Sequence, residues 1–184
     1  LPDLRLKLRC LEYIATTDLT VFFYPQNSQL AGAGYAHEGA IADRLGFTGI
    51  PECAETHEIA SDLLLIEATG VPAHFGRISS ARGLELIEHA QQRGLPVTAD
   101  VALTHLALTE HQLLGFDSMF HLIPPLRTQT DRKALLDGVN RGVLAISTGH
   151  EPQDIASKNA PFAEAIPVPP IARSLAVRPN IVEP

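Results

Sequence analysis

The chain has 184 residues, enough for one domain of ordinary size, and its 45% hydrophobic and 19% charged residues describe a globular protein able to bury a core. Its 14 Lys+Arg against 21 Asp+Glu leave a formal charge of -7, which argues against nucleic acid and anionic membrane as principal partners. No apolar run reaches bilayer length, no signal-peptide layout opens the chain, and Cys10 and Cys53 form no C-x-x-C pair, so a cytoplasmic setting is expected.

Leu1-Pro2-Asp3-Leu4-Arg5 opens straight into a helical pattern. Both cysteines lie in helical stretches among apolar neighbours and are expected as small buried thiols. Nearly continuous apolar runs at 19–23, 71–75, 95–99, 118–122 and 143–147 read as parallel strands covered on both faces. Between them, Pro51 suits a first helical turn, followed by Ala54, Ile59, Leu63 and Ile66 at helical spacing. Ser79-Ser80 is placed to cap a helix carrying Leu84, Leu86, Ile87 and Ala90, which stops at Gly94. Thr130 or Asp131 starts a further helix that stops near Gly142.

The repeat is strand, helix, strand, so the expected class is α/β, as a (β/α) barrel or a doubly wound sheet. There is no Gly-x-Gly-x-x-Gly or phosphate loop to speak for a nucleotide. A complete barrel takes about 250 residues, so an incomplete one is expected here. The Pro-rich stretch Ile166-Pro167-Val168-Pro169-Pro170 breaks the pattern. The expected division is therefore a barrel domain over 1–165, lacking its N-terminal strands, and a C-terminal segment over 166–184.

Several side-chain groups invite a functional reading and carry a plainer one. Glu52, Glu55 and Glu58 are expected on a solvated helix face. His37-Glu38-Gly39 is expected to start a helix, Arg127 and Arg132 to form structural ion pairs, and Phe22, Phe23 and Phe75 to make a core stripe.

The segment Ser147-Thr148-Gly149-His150-Glu151-Pro152-Gln153 resembles the T-D-H-A-P-H signature of dihydroorotases. The resemblance runs from about 34 to 161. It also rests on Gly49-Ile50-Pro51 with Ala54-Glu55, and on Thr98-Ala99-Asp100-Val101 with His105-Leu106. Pro124-Pro125-Leu126-Arg127 with Asp131-Arg132 and Leu135 follows, then Thr148, His150, Pro152 and Lys158. In this order the pieces identify a dihydroorotase-like member of the amidohydrolase superfamily, and the resemblance implies a metal-dependent TIM-type barrel with zinc at the C-terminal ends of its strands.

The positions that the resemblance assigns to chemistry have changed. The signature's Asp, which binds metal and carries the proton, is Gly149, and its last His is Gln153. The H-x-E-D segment reads Tyr24-Pro25-Gln26-Asn27, leaving the amide of Asn27 at a metal position. In H-I-x-H-V-S the first His is kept as His74, and the ligand position is Arg77, a guanidinium with no lone pair to give. In E-V-x-P-H-H-L the ligand position is Thr104, with His105 beside it. The substrate-contacting Asn is Ile123. His74, His105 and His150 are expected as hydrogen-bonded leftovers in the barrel mouth, with no carboxylate beside them.

The resemblance thus implies no catalytic residues, no metal ligands and no cofactor, zinc binding being lost. It further implies a noncatalytic homologue that serves as a structural subunit with aspartate carbamoyltransferase in a large hetero-oligomer of pyrimidine biosynthesis. The alternative is an active zinc-dependent dihydroorotase, or related cyclic amidohydrolase, with a rearranged site.

Overall fold

The computed structural model describes residues 3–149 and 159–167. In chain order the elements are α1 (Leu4–Ile14), β1 (Val21–Phe23), α2 (Ser28–Ala31), β2 (Ala36–His37), α3 (Ala40–Leu45), β3 (Gly49–Ile50) and α4 (Cys53–Thr69). They continue with β4 (Ala73–Phe75), α5 (Ala81–Gln92), β5 (Val97–Ala102), α6 (Leu103–Ala107), α7 (Gln129–Asn140) and β6 (Ala145–Ser147). The class is α/β, as the pattern requires.

Four strands form an all-parallel sheet in the order β1-β4-β5-β6, while β2 and β3 make a separate parallel pair. Apart from that pair, neighbours in space are neighbours in sequence, the order of a sheet wound one way rather than doubly wound. Among the described residues the sheet is open and does not close into a barrel.

Alternation along the strands gives the sheet two unlike faces. Val21, Phe23, Ala73, Phe75, Val97, Ala99 and Val101 join the core that α4, α5 and α7 cover with Ile59, Ile66, Leu84, Ile87 and Leu135. Each fully buried side chain of the Phe75 or Ile87 kind contributes about 1.5–3 kcal/mol relative to exposure. The other face carries Phe22, His74 and Thr98 in register, then Asp100 beside Ala145 and Ala102 beside Ser147. Phe22 is 63% exposed there, so the expected core stripe holds for Phe23 and Phe75 and fails for Phe22. Adjacent residues on a strand cannot share a face, which is why the Phe22-Phe23 pair divides.

The helix ends follow local chemistry. Ser80 Oγ accepts from the Gly83 N–H, capping α5 as expected. For α7 the cap is Thr128, two residues before the expected start. Thr128 Oγ1 accepts from the Asp131 N–H, and Asp131 Oδ2 accepts from the Thr128 N–H, a reciprocal capping box. Asp131 Oδ1 also accepts from the Ala81 N–H at 2.9 Å, tying α7 to the start of α5.

Other expectations are corrected. Residues 118–122 hold a 3-10 turn at Ser118–Phe120 in place of a strand, because the Asp117 side chain accepts from the Met119 N–H and curls the backbone. The helix start expected at His37-Glu38-Gly39 holds at its last residue, Gly39 being the N-cap position of α3, while His37 ends β2. Cys10 and Cys53 are exposed, the apolar neighbours around them having turned inward without them.

Candidate functional site

β4, β5 and β6 meet around Asp100, the hub of a hydrogen-bonded cluster. Its Oδ2 accepts from His74 Nε2 at 2.8 Å, and its Oδ1 accepts from the Arg77 backbone N–H at 3.1 Å and from Ser147 Oγ at 2.5 Å. A carboxylate can only accept, so Nε2 of His74 bears the hydrogen; Nδ1 meets Thr98 Oγ1 at 2.8 Å. The expectation that no carboxylate accompanies the mouth histidines is therefore wrong for His74. Asp100 was legible as the start of its own motif, and its two-residue alternation with Thr98 puts it on the His74 face.

Arg77 is the unusual residue of the mouth. Its φ is +59°, in the left-handed region that non-glycine residues seldom occupy. The Asp100 bond to its N–H holds that conformation. Its guanidinium lies over the Tyr24 ring, with Cζ 4.9 Å from the centroid. Gly76 makes room for the ring, since a Cβ there would sit 2.7 Å from Tyr24 Cε1. Gly149 lies on the other side at φ +60°, where a Cβ would be 3.0 Å from Ala102 Cβ and 4.0 Å from Arg77 Cδ. The two positions that the motif assigns to metal ligands, Arg77 and Gly149, are therefore neighbours, and the arginine stem runs beside the place where a side chain at 149 would begin. A cavity of about 380 Å³ opens here, walled by Tyr24, Gln26, Arg77, Ile123, Pro124 and Pro167.

The remaining expected positions have other employment. Asn27 Oδ1 caps α2 by accepting from the Gln29 and Leu30 N–H groups, and its Nδ2 donates to Glu58 Oε2. Thr104 is buried, with Oγ1 at 3.3 Å from His105 Nδ1. His105 is not a mouth residue. It is 4% exposed, and its Nε2–H is shared between the Pro124 and Pro125 carbonyls at 3.1 and 3.2 Å. Burial pushes its pKa down to about 4, so the ring is neutral. His150 and Gln153 lie outside the described residues.

The sequence reading missed a second polar centre, buried where α4, α5 and α7 begin. Glu55 is 2% exposed and accepts from the Ser79 and Ser80 N–H groups and from both hydroxyls. Arg127 donates from Nε to Ser79 Oγ at 3.0 Å, faces His37 Nδ1 at 3.1 Å, and has NH2 3.6 Å from Glu55 Oε2. Burial first, and then the charge of Arg127, lower the pKa of His37. Arg127 is thus the expected structural ion-pair former, and Arg132 donates to the Leu106 carbonyl instead. Two of the three carboxylates expected on a solvated face are turned inward: Glu55 into this centre and Glu58 onto Lys7, which also pairs with Asp62. Glu-x-x-Glu spacing marks one helix face but does not say which way it points.

These side chains do not fit a zinc centre. Of the four positions that would ligate, one is an amide that caps a helix, one a guanidinium, one a glycine and one a buried hydroxyl, and both nitrogens of His74 are already engaged. Among the described residues no group of three or more His, Cys, Asp or Glu side chains is placed to hold a metal ion.

The fold matches amidohydrolases of the TIM-barrel type. A D-hydantoinase from a Bacillus sp. AR9 superposes with a TM-score of 0.79 at 16% identity, covering 98% of this chain and 44% of that one. A dihydroorotase from Saccharomyces cerevisiae, solved with 5-fluoroorotic acid, gives 0.70 at 15% identity, covering 95% and 49%. In sequence, a dihydroorotase-like protein of Pseudomonas aeruginosa is 54% identical over 164 residues, 89% of this chain and 39% of that protein. One of Pseudomonas putida is 52% identical over 168 residues, 91% of this chain and 40% of that protein. A dihydroorotase of Carboxydothermus hydrogenoformans is 38% identical over 156 residues, 84% and 36%. No family model matches the chain. The chain spans about two fifths of the length of the Pseudomonas relatives. These relationships support placing it with the dihydroorotase-related amidohydrolases. Among the described residues no helix is long and apolar enough to cross a membrane.

Proposed function

We propose that this chain is part of a noncatalytic dihydroorotase homologue, a structural subunit that assembles with aspartate carbamoyltransferase in the cytoplasm for pyrimidine biosynthesis. In this reading the four-stranded sheet is part of a (β/α) barrel, and its mouth has lost zinc. The observation that carries the reading is the guanidinium of Arg77 at a ligand position, packed beside Gly149 where the metal-binding Asp would stand. A fixed positive charge there repels a cation, while the helix-covered side of the sheet, which a partner would rely on, is intact.

The rival, an active zinc-dependent cyclic amidohydrolase with a rearranged site, draws on the His74–Asp100 pair. Light-scattering mass and carbamoyl-aspartate synthesis, measured on the cognate transferase with and without the full-length protein, separate the two. A joint complex with raised transferase activity is expected. Separate species with unchanged transferase activity would remove the assembly role, and zinc-dependent opening of dihydroorotate would establish the rival.

A further inference from the structure

We propose that the cavity at the end of the sheet binds a small organic carboxylate, with Arg77 as its anchor. Among the described residues Arg77 forms no ion pair. The nearby carboxylate, Asp100, is spent on His74, Ser147 and the backbone of Arg77 itself. The guanidinium therefore faces a cavity of about 380 Å³ with its charge unmatched, in a volume suited to a small ligand.

The fork is also held in place. The Tyr24 ring supports one face of it, Gly76 admits the ring, and the left-handed backbone at Arg77 is fixed by Asp100. A strained φ at a bulky residue persists where its surroundings over-determine it, and such positions cluster at ligand sites. The ligand class follows from the walls. One planar guanidinium matches a single carboxylate through two parallel N–H bonds, which a compact ammonium cannot do. Ile123, Pro124, Ile166 and Pro167 then offer an apolar surface to the body of the ligand, and Gln26 offers one amide. A multiply charged anion finds no second described cation among the cavity walls, in a chain of formal charge -7.

This site is independent of the assembly role, since a ligand here requires no transferase. The test is calorimetric titration of the full-length protein with benzoate, acetate and inorganic phosphate, repeated on Arg77→Asn. Asparagine tolerates the left-handed backbone and keeps the N–H to Asp100, so this variant removes the charge without removing the turn. Saturable benzoate binding is expected, tighter than acetate because of the apolar walls, and weakened about tenfold or more in Arg77→Asn. Gly76→Ala, which displaces the Tyr24 ring, is expected to weaken it as well. Equal affinity in wild type and Arg77→Asn, phosphate binding tighter than either carboxylate, or no saturable carboxylate binding would each overturn the proposal. Loss of transferase assembly with benzoate binding intact would count against the proposed function alone.

Discussion

Two arginines divide the molecule. Arg127 is 3% exposed and meets Ser79, His37 and Glu55, its charge matched inside the core. Arg77 stands half-buried in the mouth with an aromatic ring beneath it and no acidic partner among the described residues. The first arrangement is what a scaffold requires, because a buried charge is tolerated only when paired and hydrogen-bonded. The second leaves charge unspent where an incoming molecule can reach it. The Glu55–Arg127 centre therefore determines whether the protein folds, and the mouth determines which small ligand it meets.

Substitutions test that division in order of effect. Glu55→Ala strands Arg127 in the core and removes the acceptor for two N–H groups and two hydroxyls. It is expected to cost about 3–5 kcal/mol in urea unfolding. A loss below about 1 kcal/mol would mean that the pair is not a structural requirement.

Acid comes next. His105 is held neutral, with a folded pKa of about 4 against an ordinary value of 6.5. Between those values the unfolded chain binds more protons, so stability falls as pH drops from about 6.5 towards 4 and is steady above that window. The loss is on the order of 3 kcal/mol by pH 4. His105→Gln should flatten that slope; an unchanged slope would place the acid sensitivity elsewhere.

Asn27→Ala removes the cap of α2 and the bond to Glu58, with an expected loss of about 1 kcal/mol and no change in benzoate affinity. A large effect on ligand binding would put Asn27 back in the mouth. Arg77→Asn is expected to change stability least, within about 0.5 kcal/mol, while changing ligand binding most. Strong destabilisation by this variant would make Arg77 a second scaffold arginine and dissolve the comparison.

The scaffold was largely legible in the sequence. The nearly continuous apolar runs placed β1, β4, β5 and β6 within two or three residues, and Ser80 and Gly142 marked real helix ends. The run at 118–122 misled because its hydrophobic residues pack around a turn set by Asp117, a local side-chain bond that composition does not reveal. The site was legible in part. Motif spacing led to Arg77 and Gly149, which the structure brings side by side, and to Thr104, which it buries. Motif letters did not reveal that His105 points into the core at two proline carbonyls, or that Asp100 gathers three strands. Those are tertiary facts, fixed by which face of a strand or helix a residue occupies. Glu55 was misplaced for the same reason.

In the proposed reading the mouth has exchanged cation binding for a fixed positive charge. The most direct test of that reading is the zinc content of the full-length protein after equilibration with zinc and passage over a chelating resin, with dihydroorotate hydrolysis followed on the same sample. Less than about a tenth of an equivalent of retained zinc, with no hydrolysis above background, is the predicted result. One or two equivalents retained, with dihydroorotate opened at an enzymatic rate, would contradict the account.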